Sequence, residues 1–199
     1  MTGKRIVLAT AAALLLAVGG AAAWMLGPAL LPPESIEAGI ALRAKAPIAM
    51  PLRDSTGQPT SLAQKMGPNG MVLILVRSAD WCPFCKAQLI RSNDIRSQVA
   101  DKGYALASLS YDTPATLAAF AGAKGLGYML LSDSGSAMID SLGLRDPEYP
   151  PGNKAYGVPR PTILILAADG TVMAKYVSAD YRSRPSNDDV LAMLDQVAG

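Results

Sequence analysis

Histidine is absent from this 199-residue sequence, and cysteine occurs only twice, at Cys82 and Cys85. Without histidine the chain has no Cys–His catalytic pair, no histidine general base and few ways to bind a transition metal. Two cysteines alone cannot complete a zinc site, and a bridge between residues so close together closes too small a loop to stabilise a fold. These shortages exclude a zinc protein and a small scaffold held together by disulfides.

An excess of one charge is lacking as well. The 18 Lys and Arg residues exceed the 16 Asp and Glu residues by two, and Lys4 and Arg5 account for that excess. The rest of the chain is neutral and carries no basic patch of the kind that binds nucleic acid.

An uncharged apolar segment, residues 6–31, follows Lys4 and Arg5. About 20 apolar residues span a bilayer, so residues 1–33 are predicted to be a single-pass anchor in the inner membrane, with the rest of the chain in the periplasm or outside. The alternative is a secreted protein after signal cleavage, because Ala21 to Ala23 offer small residues for a signal peptidase. Both alternatives place the domain outside the cytoplasm.

Strand and helix patterns alternate in the remaining chain, which divides into a linker over 34–46 and a domain over 47–199. This order predicts an α/β domain with a mixed sheet, in which sites lie at the carboxyl ends of parallel strands. The predicted elements are two short extended pieces within 47–62, a strand over 71–76, a helix over 87–101, a strand over 104–110, a helix over 113–124, a strand over 128–131, a helix over 133–142, a hairpin over 162–177 and a helix over 186–197.

Cys82 and Cys85 form a Cys-x-x-Cys pair between the buried strand over 71–76 and the helix that follows it. Backbone N–H groups and the helix dipole stabilise a thiolate at such a junction. Cys82 is predicted to be the nucleophile, with the exposed sulfur, and Cys85 the resolving thiol. The alternative is a pair of ordinary buried cysteines or an inert bridge.

The stretch from Trp81 to Lys86, together with residues 157–162 at the start of the hairpin, resembles the thioredoxin fold. Residues 52–62 are similar to the start of redoxin domains in the AhpC/TSA superfamily, and Arg77, five residues before Cys82, is similar to a peroxiredoxin-like branch. The resemblance implies a thioredoxin-like three-layer α/β fold, with a central mixed sheet flanked by helices and preceded by one transmembrane helix. It implies no cofactor.

The resemblance also assigns supporting residues and shows departures from the family pattern. Pro161 is expected to be a cis-proline that faces the cysteines, with Arg160 beside it, and Pro83 restrains the helix start. Thioredoxins carry a buried acid where this chain has Val76. Typical peroxiredoxins carry a threonine where it has Ala79, and an arginine where it has Pro161.

Aromatic and cationic residues near the cysteines each allow two interpretations. Trp81 and Phe84 are either an apolar rim of the site or core aromatics. Arg77 is either a cation that favours the thiolate or a solvated charge. Tyr149 and Tyr156 either line a substrate groove or cover the edge of the sheet.

Together these features predict an extracytoplasmic, membrane-tethered thiol–disulfide oxidoreductase that works through Cys82 and Cys85. Its partners would be protein dithiols or disulfides and a redox protein that donates or accepts electrons. The first alternative is a peroxiredoxin-like antioxidant enzyme, a thiol peroxidase in which peroxide oxidises Cys82 to a sulfenic acid that condenses with Cys85. The second is a non-catalytic tethered module that binds a partner or copper(I) through its sulfur atoms.

Overall fold

A computed structural model describes residues 34–198 of the chain. The predicted anchor or signal segment, residues 1–33, lies outside the described residues. Within the part of the chain that the structure describes, no helix has both the length and the apolar character needed to cross a bilayer.

Seven strands and six α-helices alternate along residues 34–198. The strands are β1 Leu52–Asp54, β2 Pro59–Thr60, β3 Gly70–Leu75, β4 Tyr104–Ser110, β5 Met129–Ser132, β6 Thr162–Ala167 and β7 Val172–Val177. The helices are α1 Leu62–Lys65, α2 Pro83–Ser92, α3 Arg96–Asp101, α4 Pro114–Lys124, α5 Ala137–Ser141 and α6 Asn187–Ala198, and a 3₁₀ turn over Asn93–Ile95 joins α2 to α3.

All seven strands form one sheet in the order β2-β1-β5-β4-β3-β6-β7. Strands β3, β4 and β5 are parallel to one another, whereas β1, β2, β6 and β7 pair antiparallel with their neighbours. In the β3–β4 ladder Leu75 lies opposite Leu109, so both strands end at the same edge of the sheet. The loops that follow them therefore lie side by side, as expected for a functional edge.

The central strand β3 divides its side chains between two cores, because successive side chains of a strand point to opposite faces. Val72 and Ile74 join an apolar cluster with residues of α2, α3, α4 and α6. Met71, Leu73 and Leu75 join a second cluster with residues of α1 and α5. Every one of these five side chains is fully buried, and each such burial stabilises the fold by roughly 1.5–3 kcal/mol. The predicted mixed sheet flanked by helices is confirmed.

Helix α4 follows its sequence signals closely. The Thr113 hydroxyl accepts a hydrogen bond from the Thr116 N–H at 3.3 Å, and Pro114 occupies the first turn, where no backbone donor is needed. Gly125 ends the helix with φ 61°, in the left-handed region that favours glycine. Helix α1 was not predicted. It is a single turn whose start is capped by Ser61.

Residues 34–46, predicted to be a linker, run along the outer edge of β7. The Ile36 N–H donates to the Val177 carbonyl at 2.9 Å, and the Arg43 N–H donates to the Val172 carbonyl at 2.8 Å. At the end of this segment Ala46 is buried in the second apolar cluster. The segment is thus packed onto the sheet over much of its length.

Candidate active site

A disulfide joins Cys82 and Cys85 at the start of α2, with their Cα atoms 5.2 Å apart. Cys82 is the residue that caps the helix, and its Sγ accepts a hydrogen bond from the Cys85 N–H at 3.3 Å. Pro83 occupies the first helical position, where its fixed φ suits the helix and its missing N–H costs nothing. This placement stabilises a thiolate when the bridge is reduced, because unpaired N–H groups and the positive end of the helix dipole face the sulfur.

The prediction that Cys82 exposes its sulfur is wrong. Cys82 is only 1% exposed and Cys85 is fully buried. The Cys82 sulfur turns back towards the first turn of α2, and both cysteines pack in the same apolar cluster as Val76 and Ala79. Access to the bridge is therefore narrow on the surface of the folded domain.

A buried carboxylate, Asp112, holds the loop that leads to Cys82. Its two oxygens accept hydrogen bonds from the Ser78 hydroxyl at 2.8 Å, the Ala79 N–H at 2.7 Å and the Ser110 hydroxyl at 2.8 Å. Asp112 follows β4 directly, and Ser78 and Ala79 follow β3, so the parallel pairing of these strands brings the partners together. The carboxylate fixes the backbone in front of the disulfide.

Arg77 is 4% exposed and lies among three aromatic rings. Its guanidinium carbon is 5.1 Å from the ring centroid of Trp81, 4.8 Å from that of Tyr149 and 4.3 Å from that of Tyr181. One nitrogen donates to the Tyr149 hydroxyl at 2.5 Å. The interpretation of Arg77 as a solvated charge is therefore wrong: it is a buried cation held by the faces of aromatic rings.

A second cation, Arg184, contacts the disulfide itself. Its Nη2 lies 3.7 Å from the Cys85 Sγ, and its Nη1 donates to the Ser183 carbonyl at 3.0 Å. Burial, followed by the positive charges of Arg77 and Arg91, lowers the pKa of Arg184 from 12.5 to about 10, so the side chain stays charged at neutral pH. Nothing in the sequence around position 184 pointed to this role.

The model of the AhpC/TSA family matches residues 42–175. The chain belongs to the AhpC/TSA family. A search of curated protein sequences found no significant match.

Solved structures of peroxiredoxins have the same fold as this AhpC/TSA protein. Peroxiredoxin Q from Xanthomonas campestris is 22% identical, with a TM-score of 0.66 over 82% of this chain and 100% of that chain. Reduced Prx3 from Vibrio vulnificus in complex with H₂O₂ is 21% identical, with a TM-score of 0.67 over 78% and 99%. Peroxidoxin BcpB from Mycobacterium tuberculosis is 21% identical, with a TM-score of 0.61 over 82% and 94%. The predicted thioredoxin-like fold is confirmed.

Family membership and the disulfide-forming cysteine pair together identify an enzyme. This AhpC/TSA protein is a thiol-dependent oxidoreductase or peroxidase. Residues 34–198 contain no group of three or more His, Cys, Asp or Glu side chains placed to hold a metal ion.

Two aromatic side chains form an apolar rim around the site. Trp81 is 42% exposed and Phe84 is 38% exposed, which favours the rim over the core interpretation. The Phe84 ring meets Tyr181 edge to face at 6.0 Å, and the Trp81 Nε1 donates to the Tyr111 hydroxyl at 3.0 Å. The rim is thus a surface of fixed orientation.

Pro161 does not have the predicted cis peptide bond. No peptide bond in residues 34–198 is cis. The trans isomer is favoured for X–Pro bonds in general, and here Pro161 leads directly into β6, with its carbonyl accepting from the Ser178 N–H at 2.9 Å. That carbonyl is therefore already paired within the domain, with the residue that follows β7.

Of the remaining predicted residues, two line a groove of about 260 Å³ and two lie outside it. Arg160 and Pro161 line the groove together with Tyr181, and the acidic residues Asp146 and Glu148 belong to its wall. Tyr149 lies at the site because its hydroxyl accepts a hydrogen bond from Arg77. Tyr156 is 43% exposed and stacks on Arg145 at 4.3 Å, so the structure does not bring it into the aromatic cluster around Arg77.

Sequence reasoning missed Asp112, Tyr181 and Arg184. A signal for Asp112 existed, because a carboxylate directly after the second parallel strand must lie near the loop that follows the first. Tyr181 and Arg184 lie in the irregular segment between β7 and α6, for which local patterns predict no position.

Proposed function

We propose that this protein is a thiol–disulfide oxidoreductase that acts on protein substrates through the Cys82–Cys85 pair. The observation that carries the proposal is the disulfide itself, which closes across an intact first turn of α2. A substrate thiolate attacks the Cys82 sulfur and Cys85 leaves as a thiolate. A second substrate thiolate then attacks the mixed disulfide, releasing a substrate disulfide and leaving both cysteines reduced. The same steps run in reverse when the pair donates electrons.

The surroundings of the pair support exchange with a thiol better than reduction of a peroxide. Ala79 lies where typical peroxiredoxins carry a threonine, so no hydroxyl is present at that position. The Ala79 N–H already donates to Asp112 at 2.7 Å. The Arg77 guanidinium is surrounded by aromatic rings and bonded to Tyr149. These groups are engaged within the protein and are not free to polarise the oxygen–oxygen bond of a peroxide.

The exposed rim supports a protein as the substrate. Trp81 and Phe84 present apolar surface beside a bridge that is itself buried. Aromatic side chains of this kind supply much of the binding energy at protein interfaces. A partner that packs on the rim would bring its own sulfur to the narrow opening at Cys82.

A thiol peroxidase is the second candidate, because the solved structures with this fold are named peroxiredoxins. In that reaction the Cys82 thiolate attacks the peroxide, takes one oxygen as a sulfenic acid and releases water or an alcohol. The Cys85 thiol then condenses with the sulfenic acid, releases water and restores the disulfide.

One pair of measurements separates the two candidates. Oxidised protein is mixed with a reduced, unfolded protein that contains two cysteines, and reduced protein is mixed with hydrogen peroxide in a stopped-flow instrument. We expect rapid oxidation of the protein dithiol and a peroxide reaction close to that of a free thiol. Cys82→Ser should abolish dithiol oxidation. Fast peroxide consumption with slow dithiol exchange would instead identify a peroxidase.

For location, we propose that the domain works outside the cytoplasm, tethered to the inner membrane. The proposal is supported by Lys4 and Arg5 in front of the uncharged apolar segment 6–31. Cell fractionation and protease treatment of intact spheroplasts test it. The domain should be in the membrane fraction and accessible to protease, and N-terminal sequencing that finds a start near Trp24 would indicate a cleaved signal peptide.

A further inference from the structure

Arg184 is a half-buried cation that contacts a sulfur atom and no carboxylate. Its Nη2 lies 3.7 Å from the Cys85 Sγ, and its Nε is buried without a hydrogen-bond partner. Among residues 34–198, none of the salt bridges within 4.0 Å involves Arg184. A guanidinium that is partly removed from water without a counter-ion costs free energy, so an anion placed beside Arg184 would stabilise the protein.

We infer that Arg184 is a further catalytic residue, which stabilises a thiolate on Cys85 and thereby drives the Cys82–Cys85 disulfide to accept electrons. The inference rests on the proposed thiol–disulfide exchange and adds a direction to it. In the oxidised protein the Cys85 sulfur is neutral. Once the bridge opens, the same sulfur becomes the anion that Arg184 otherwise lacks.

The charged and titratable groups near Arg184 leave this thiolate as its best partner. Arg77 and Arg91 repel the guanidinium and lower its pKa, while Tyr176 and Asp180 act in the opposite direction and more weakly. Arg91 is itself tied to the Pro185 carbonyl at 2.8 Å. The surroundings are therefore positive overall, and a nearby cation lowers the pKa of a thiol by about 1–3 units.

The reaction balances with a substrate dithiol as the electron donor. The Cys82–Cys85 bond breaks, and the two sulfurs together receive two electrons and one proton. The reduced pair holds one proton and one negative charge. The helix start favours that charge on Cys82, and the contact with Arg184 shifts it to Cys85, so that Cys82 ends as a thiol and Cys85 as a thiolate. The substrate loses two electrons and two protons, forms its own disulfide, and releases the remaining proton to water.

The contact with Cys85 also favours the first step of this exchange. When a substrate thiolate attacks Cys82, the leaving group is Cys85, and a leaving thiol of lower pKa departs faster. Fully buried as it is, Cys85 has no water to stabilise the charge that it gains. The guanidinium of Arg184 replaces that water.

Single-cysteine variants of the full-length protein test the inference directly. Cys85 alone is titrated in Cys82→Ser, and Cys82 alone in Cys85→Ser, by the ultraviolet absorbance of the thiolate. Each is compared with and without Arg184→Met. Loss of Arg184 should raise the pKa of Cys85 by at least about one unit, and that of Cys82 by less. Arg184→Lys should restore part of the shift, and Arg182→Met, which removes an exposed charge from the same segment, should change neither pKa.

Equilibration of the native pair with dithiothreitol gives an independent readout that needs no cysteine substitution. If the reduced pair carries a thiolate, the equilibrium constant for oxidising dithiothreitol rises about tenfold per pH unit above the pKa of that thiol, because one proton is released. Arg184→Met should move the onset of this rise to higher pH and lower the constant at pH 7 by up to about tenfold.

The outcomes separate the inference from the proposed function. An equilibrium constant that is flat up to pH 8, or a larger pKa change on Cys82 than on Cys85, overturns the role of Arg184 even if the protein exchanges disulfides well. Conversely, failure of the native pair to exchange with any protein dithiol overturns the proposed function, whatever the pKa values show.

Discussion

Two charged regions lie beside the disulfide, and they differ in how fully their charges are paired. The carboxylate of Asp112 accepts three hydrogen bonds from Ser78, Ala79 and Ser110. Arg77 and Arg184 each have a buried Nε without a partner. A buried charge that is fully bonded stabilises one conformation, whereas an incompletely bonded one costs free energy unless another state of the protein supplies the partner. We therefore assign Asp112 to structure and, in line with the inference above, Arg184 to the chemistry of the disulfide.

The largest expected effect is the loss of the carboxylate in Asp112→Ala. Three buried donors lose their acceptor together, so the free energy of unfolding should fall by about 3–5 kcal/mol. Urea denaturation followed by circular dichroism measures it. Asp101→Ala removes an exposed carboxylate with no such bonds and should cost less than about 0.5 kcal/mol. A similar small cost for Asp112→Ala would show that Asp112 is not structural.

A smaller loss is expected for Ser78→Ala. The substitution deletes one of the three donors to Asp112 and also removes the acceptor of the Asp80 N–H, which donates to the Ser78 hydroxyl at 2.9 Å. The free energy of unfolding should fall by about 1–2 kcal/mol. Ser97→Ala, an exposed serine on α3, is the matched control. If Ser78→Ala cost as much as Asp112→Ala, the hydroxyl and not the carboxylate would be the centre of the network.

A further buried carboxyl group, Asp133, extends the comparison to the pH dependence of stability. Burial raises the pKa of Asp133 above 3.8, and hydrogen bonds from backbone N–H groups of α5 oppose the rise without cancelling it. The folded state thus holds this proton more tightly than the unfolded state. The contribution to stability is complete below pH 3.8 and is lost as pH rises through the folded pKa.

Substituting Asp133 should remove that dependence. The unfolding free energy of the native protein, relative to Asp133→Asn, should fall between pH 3.8 and neutral pH, with a slope below about 1.4 kcal/mol per pH unit. Urea midpoints measured across this range give the slope. A relative stability that rises with pH would mean that the backbone hydrogen bonds, and not burial, dominate the pKa of Asp133.

The smallest effect is expected for Arg184→Met in the oxidised protein. The guanidinium has no counter-ion in that state, and methionine retains much of the apolar stem, so the free energy of unfolding should change by less than about 1 kcal/mol. The same substitution should lower the free energy of unfolding of the reduced protein by more than that of the oxidised protein. A large loss in the oxidised protein would make Arg184 a structural residue and remove the contrast between the two regions.

Local patterns predicted most of the fold because each element carries its own signals. The strand over 104–110 has the predicted bounds, and α4 begins and ends where the Thr113-Pro114 cap and Gly125 indicate. The hairpin of β6 and β7 is also confirmed. Such features depend on neighbouring residues, and the sequence displays those directly.

The chemistry around the disulfide depends on contacts between distant residues. Arg184 and Cys85 are 99 positions apart, and Asp112 and Ser78 are 34 apart. The family resemblance also misled at Pro161, where the peptide bond is trans, and the helix-start position alone did not show that Cys82 is buried. These properties follow from how the loops pack, which no local pattern encodes.

The segment over 34–46 has one more consequence, for association between molecules. A seven-stranded sheet ends in two edges, and an uncovered edge strand is a template on which another chain can add. One edge ends in β2, which is only two residues long, and the other is covered where residues 36, 43 and 44 bond to β7. Neither edge of the described domain therefore offers a long row of free backbone groups, and a partner is directed away from the sheet edges and towards the loops at the disulfide.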